Sequence, residues 1–306
     1  MENQNNYKTT LNQNIMPVAM VLSAFIIIGG IYFFGGSAVK TLTNESSPSA
    51  TQQETLESQQ AVLPLEGVVL PITWGDLGQQ LVKAGVIDAE KFMAIYEKRG
   101  DFSPEDKALL LGQNNDQLKI TSDNAGFLLN LFWALGLANK NTILETGEMT
   151  DSRYNGAGNF ASTGGWTIAV GNPMTHYSQH EFLVLTAEQQ TMVEEMSRGI
   201  YRPCCGNSTH FPDCNHGMAM LGLLELMASQ GVSEADIWKT ALAVNSYWFP
   251  DTYLTIATYR QNKNVAWVEV EPKEMLGANY SSGQGYAKIA AQVTKPQQQG
   301  GGGCAV

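Results

Sequence analysis

No charged side chain occurs between Lys8 and Lys40, and residues 16–34 within that interval read MPVAMVLSAFIIIGGIYFF. An apolar run of this length can cross a hydrocarbon core of ~30 Å as one helix. It is longer than the ~7–15 apolar residues of a cleaved secretory signal. The expected element is therefore a single transmembrane signal anchor over 16–36, after a short stub at 1–15. Lys8 and the amino terminus precede the run, whereas Glu45, Glu54 and Glu57 follow soon after Lys40. The positive-inside bias then places the stub in the cytoplasm and the bulk of the chain outside it. The reading is a single-pass membrane protein, mainly extracytoplasmic.

The flanks of the remaining chain look unable to bury a core. Residues 37–63 are rich in Ser, Thr, Gln and Glu without apolar periodicity, as expected of a disordered stalk. Residues 291–306 end in QQQGGGGCAV, a flexible Gly-rich tail with Cys304 near its end. Between them, 64–290 reads as one helical globular domain, so the fold class is mainly α. The chain is 43% hydrophobic, enough for a real core, and its net charge of −11 argues against nucleic acid as a partner, because nothing would neutralise phosphates.

Helix signals recur through this domain. TWGDLGQQLVKAGV offers Thr73 or Asp76 as a cap and sets Leu77, Leu81 and Val82 on one face. DAEKFMAIYEKRG starts at Asp88, and SPEDKALLLG carries Ser103 as N-cap with Pro104 at the first helical position. SDNAGFLLNLFWALGLANKN is apolar on most faces and predicts a central buried helix. Thr186 and Gln189 form a capping-box pattern ahead of a further helix. NHGMAMLGLLELMASQG, SEADIWKTALAVNSYWF and PDTYLTIATYRQ complete the set. Residues 154–173 break the pattern as a Gly-rich loop, with a short strand expected at WTIAV.

The chemistry concentrates in residues 203–217, PCCGNSTHFPDCNHG. This stretch holds three of the four cysteines, and all four histidines lie between His176 and His216. Pro203 ends the preceding helix, and the next helix should begin near Asp213 to His216, with Asp213 as a plausible cap. Cys214 and His216 then stand in its first turn, where the helix dipole favours a thiolate. Cys204, Cys205, Cys214 and His216 give a Cys3His donor set of the kind that suits soft metals, copper before zinc. The adjacent cysteine pair departs from ordinary zinc spacings. His176 and His180, four apart, would share a helix face, and Met174 adds a thioether. We expect these three to converge on the cysteine turn and Cys304 to serve as a mobile accessory thiol.

Three functions compete on this basis. The first is a membrane-anchored protein that binds copper or zinc for sensing or transfer to a metal- or thiol-exchange partner protein. The second is a thiol–disulfide redox protein. The third is a structural or interaction domain stapled by disulfides, such as Cys204 or Cys205 with Cys214. No GxSxG, HExxH or nucleotide-binding glycine pattern occurs, so no catalytic residue is assigned.

Overall fold

The computed structural model describes residues 57–100 and 102–294. The expected stub, the anchor at 16–36, most of the expected stalk and the Cys304 tail lie outside these residues. Among the described residues no helix is long and apolar enough to cross a membrane. Residues 57–62 are helical. There follow β1 (Val68–Gly75), α1 (Leu77–Lys83), α2 (Ala89–Glu97), α3 (Pro104–Leu111), β2 (Asn115–Ile120), α4 (Ala125–Ala138) and α5 (Thr142–Thr146). After a long irregular stretch come α6 (Ala187–Gly199), α7 (Asn215–Ser229), α8 (Glu234–Trp248), α9 (Pro250–Gln261), α10 (Pro272–Leu276), α11 (Ala278–Ser281) and α12 (Gly283–Ala290). The domain is mainly helical, as the patterning predicts.

Its centre is the pair α4 and α7. Every residue of α4 except Gly126 is buried, and so is every residue of α7 except Ser229. A helix that is apolar all round must be surrounded, and here α6, α8 and the sheet help cover the pair. The two axes approach closely at Gly136 and Gly222. A Cβ on Gly136 would lie 2.2 Å from the Met218 carbonyl oxygen, and one on Gly222 would lie 2.4 Å from that of Phe132. Only hydrogen fits at either position.

Local signals hold at several helix starts. Ser103 and Asp106 form a reciprocal capping box on α3, as Thr186 and Gln189 do on α6. Asp88 accepts from the Lys91 amide at the start of α2. Of the two cap candidates, Asp76 stands at the N-cap of α1 but makes no side-chain cap bond, and Thr73 lies inside β1.

The helical reading also missed the antiparallel pair β1–β2. Leu70, Ile72 and Trp74 of β1 alternate inward. Pro71 interrupts the ladder, which shifts register between Val69 and Thr73, because proline has no amide hydrogen to donate. The expected stalk is shorter than its composition suggests, since Val62 and Leu63 are buried in the core.

The Gly-rich loop is pinned rather than free. WTIAV is a series of turns, not a strand. Its backbone is tied to the α1–α2 connection by single bonds, Asp88 N–H donating to the Ile168 oxygen and Val170 N–H to that of Gly85, and Lys91 Nζ donates to the Ala169 oxygen. Trp166 is fully buried, donates to the Val86 oxygen and packs edge-on against Trp133. Trp133 in turn donates to the Ser162 oxygen at 2.7 Å.

Candidate metal centre

The cysteine turn leaves α6 at Gly199 and is tied down at both ends. Tyr201 N–H donates to the Leu276 oxygen, Thr209 N–H to that of Ile200, and Gly283 N–H to that of Cys205. A short bridge between Tyr201 and Ser208 closes the turn. From the other side, Ser162 of the Gly-rich loop donates its amide to the Asp213 oxygen. Helix α7 begins at Asn215, so Cys214, not Asp213, is the residue at its N-cap.

Arg202 organises this turn, and the sequence reading did not single it out. It is 2% exposed. Its Nε donates to Cys214 Sγ at 3.0 Å, one terminal nitrogen donates to the Asn207 oxygen at 3.2 Å, and the other donates to the Phe211 oxygen at 2.8 Å. That last nitrogen also pairs with the Asp213 carboxylate. Asn207 Nδ2 donates to the second Asp213 oxygen at 2.8 Å. Both carboxylate oxygens of Asp213 are thus engaged. Gly217 makes room for the guanidinium, because a Cβ there would lie 2.5 Å from Arg202 Cζ. The signal available beforehand was an arginine two positions ahead of a cysteine pair, and spacing alone does not show that it turns inward.

Cys204, Cys205 and Cys214 are all free thiols, so among the described residues the expected staple is absent. Cys204 Sγ lies 3.7 Å from Cys214 Sγ. Hydrogen bonds from the Cys204 and Cys205 thiols pull the Cys214 thiol far below its ordinary range, and the Arg202 guanidinium and the Gly217 amide add to this. The same sharing pushes Cys204 up, first through Cys205 and then through Cys214. Cys214 is therefore the thiolate of the group, and Cys204 keeps its proton at neutral pH. His216 is pushed down to about 4, chiefly by burial, so its imidazole is neutral. Its Nδ1 lies 2.9 Å from Asn215 Oδ1, and its ring packs on Phe249 with centroids 4.4 Å apart.

Two donor triads share Cys214. The ligand atoms of Cys204, Cys214 and His216 lie within 4.8 Å of one another, and so do those of Cys205, Asp213 and Cys214. Arg202 contacts Cys214, which both triads share, and also Asp213, so it faces two of the three donors of the second triad and one of the first. The first has a neutral imidazole, a thiolate and an exposed thiol. Metal–sulfur bonds of about 2.3 Å at tetrahedral angles place two sulfurs about 3.8 Å apart, which matches the separation of Cys204 and Cys214. The Cys/His cluster can hold a metal ion.

Neither donor triad includes His176 or His180, the pair expected with Met174 to converge on this turn. The two histidines do not share an α-helix either: Pro173–Thr175 is a single 3-10 turn, and Ser178 between them has φ 54°. That turn brings the rings together, with His176 Nδ1 3.1 Å from His180 Nε2 and the planes stacked. Met174 packs beside Gly158. Glu225, facing neither solvent nor a metal donor, is fully buried and accepts from Asn139 Nδ2 at 2.7 Å and Asn141 Nδ2 at 2.8 Å. No protein-family model, characterised protein or solved structure matches the chain.

Proposed function

We propose that this chain binds a soft metal ion through Cys204, Cys214 and His216, with Cys205 alongside, and passes it to a partner protein. The observation that carries this reading is the triad of Cys204, Cys214 and His216, three soft donors within 4.8 Å of one another with Cys204 exposed, while Arg202 engages the Asp213 carboxylate of the overlapping triad. Copper(I) comes before zinc(II), because a monovalent ion of filled d shell is satisfied by two or three soft donors, whereas zinc asks for a fourth. Exposure of Cys204 supports exchange over permanent storage. The apolar run at 16–34 supports a single-pass anchor with the domain outside the cytoplasm, where a surface-facing site would meet a metal- or thiol-exchange partner.

The test is a titration of the reduced full chain in detergent with Cu(I) and, separately, Zn(II), each against a chromogenic chelator. About one Cu(I) per chain, held more tightly than Zn(II), is expected. Less than about a tenth of an equivalent of either ion would remove the reading.

A further inference from the structure

Beyond metal binding, we propose that the cysteine turn performs dithiol–disulfide exchange, with Cys204 and Cys214 as the exchanging pair and small or peptide disulfides as its oxidants. The two sulfurs are 3.7 Å apart, and a disulfide needs about 2.05 Å, so closure asks for a movement of under about 2 Å. Cys204 sits exposed in a turn, which can supply that movement. Cys214 is the fixed partner, held by Arg202 Nε at 3.0 Å and by its place at the start of α7. Cys205 does not compete for Cys204, because adjacent residues have Cα atoms ~3.8 Å apart, below the usual disulfide range.

The exchange balances in two steps. Cys204 first gives up its proton and attacks a disulfide R–S–S–R as the thiolate, forming Cys204–S–S–R and expelling RS⁻, which takes up the released proton as RSH. Cys214, as thiolate, then attacks Cys204 Sγ, forming the Cys204–Cys214 bond and expelling RS⁻. The protein pair loses two electrons and the external disulfide gains them. In reverse, a thiolate attacks the exposed Cys204 sulfur and Cys214 departs as an anion toward the Arg202 guanidinium. That guanidinium stabilises the leaving group, so the arrangement serves both directions.

The proposal stands apart from metal binding, and its experiment uses metal-free protein. The reduced full chain in detergent, stripped with a chelator, is equilibrated in oxidised and reduced glutathione, alkylated and mapped by mass. A Cys204–Cys214 bond with Cys205 alkylated is expected, in wild type and equally in Cys304→Ser. Cys214→Ser should instead accumulate a glutathione adduct on Cys204, at least about tenfold above wild type, because the second step is lost. Circular dichroism of this near-isosteric variant checks its fold. The proposal is overturned if Cys204 and Cys214 stay reduced in wild type, if wild type holds a stable adduct at Cys204, or if Cys204 pairs with Cys304.

Discussion

Two groups of metal-capable side chains stand in this domain, and they are built in opposite ways. The His176–His180 pair satisfies itself: one imidazole nitrogen meets the other at 3.1 Å, and His180 also stacks on Phe182. The cysteine turn does not satisfy itself. Three thiols crowd together, a buried arginine from the same turn donates to Cys214 Sγ, and Cys204 is left exposed. Donor identity is thus a poor guide to a metal site. What distinguishes the turn is an anion held in place by an internal cation, with a second soft sulfur left at the surface. A self-paired histidine couple gives up its own hydrogen bond before it can bind anything.

The largest effect that would sharpen this contrast comes from Arg202→Met. It leaves Asp213 without its counter-charge and removes the guanidinium from the Asn207 and Phe211 oxygens, the latter keeping only the Asp213 amide. Breaking such a buried pair lowers stability by about 3–5 kcal/mol, measurable by denaturant unfolding. Next, Cys214→Ala removes the donor common to both triads and should weaken Cu(I) binding by more than about 100-fold. The double variant His176→Ala, His180→Ala should leave that affinity within about twofold. If the double variant loses the ion instead, the contrast fails. Gly217→Ala drives a methyl group into the guanidinium, and an overpacked site of this kind costs about 1–3 kcal/mol. Its Cu(I) affinity should fall with it, since the arginine is displaced from Cys214.

The effect of pH is smaller and has a definite sign. Cys204 is pushed up and protonated at neutral pH, Cys214 is already ionised, and His216, pushed down to about 4, is neutral. An entering ion therefore displaces about one proton, and apparent affinity should rise about tenfold per pH unit through neutrality. A flat profile in a buffered chelator titration would mean that Cys204 is not a ligand. The smallest effect is expected from His180→Phe, which deletes the imidazole–imidazole bond and should cost about 0.5–1.5 kcal/mol in thermal or denaturant unfolding, with Cu(I) binding unchanged.

Features set by neighbours in the chain were legible beforehand. The N-cap at Ser103 and the capping box at Thr186 depend on residues within one turn, and the all-apolar α4 depends only on its own composition. The four residues Cys204, Cys205, Cys214 and His216 were legible as a candidate group because one short segment carries them. β1 was not, because its alternation is brief and contains Pro71, and its partner β2 lies beyond three helices. The inward turn of Arg202 was not legible either. It depends on the missing Cβ at Gly217 and on backbone oxygens at Asn207 and Phe211, none of which is visible in spacing.

By itself, the sequence determined a helical domain, its caps, its apolar centre and the donor atoms available within residues 203–217. Tertiary structure decided which donors meet and what charge they carry. Ten steps of chain from Cys204 to Cys214 can span anything up to ~35 Å, and the observed 3.7 Å exists because the turn is pinned to α10, α12 and the Gly-rich loop. Likewise a histidine spacing of four did not make a helix-borne chelate, since the turn around Ser178 faced the two rings toward each other. Short-range spacing bounds distances, but burial and counter-charge are set by contacts from far along the chain.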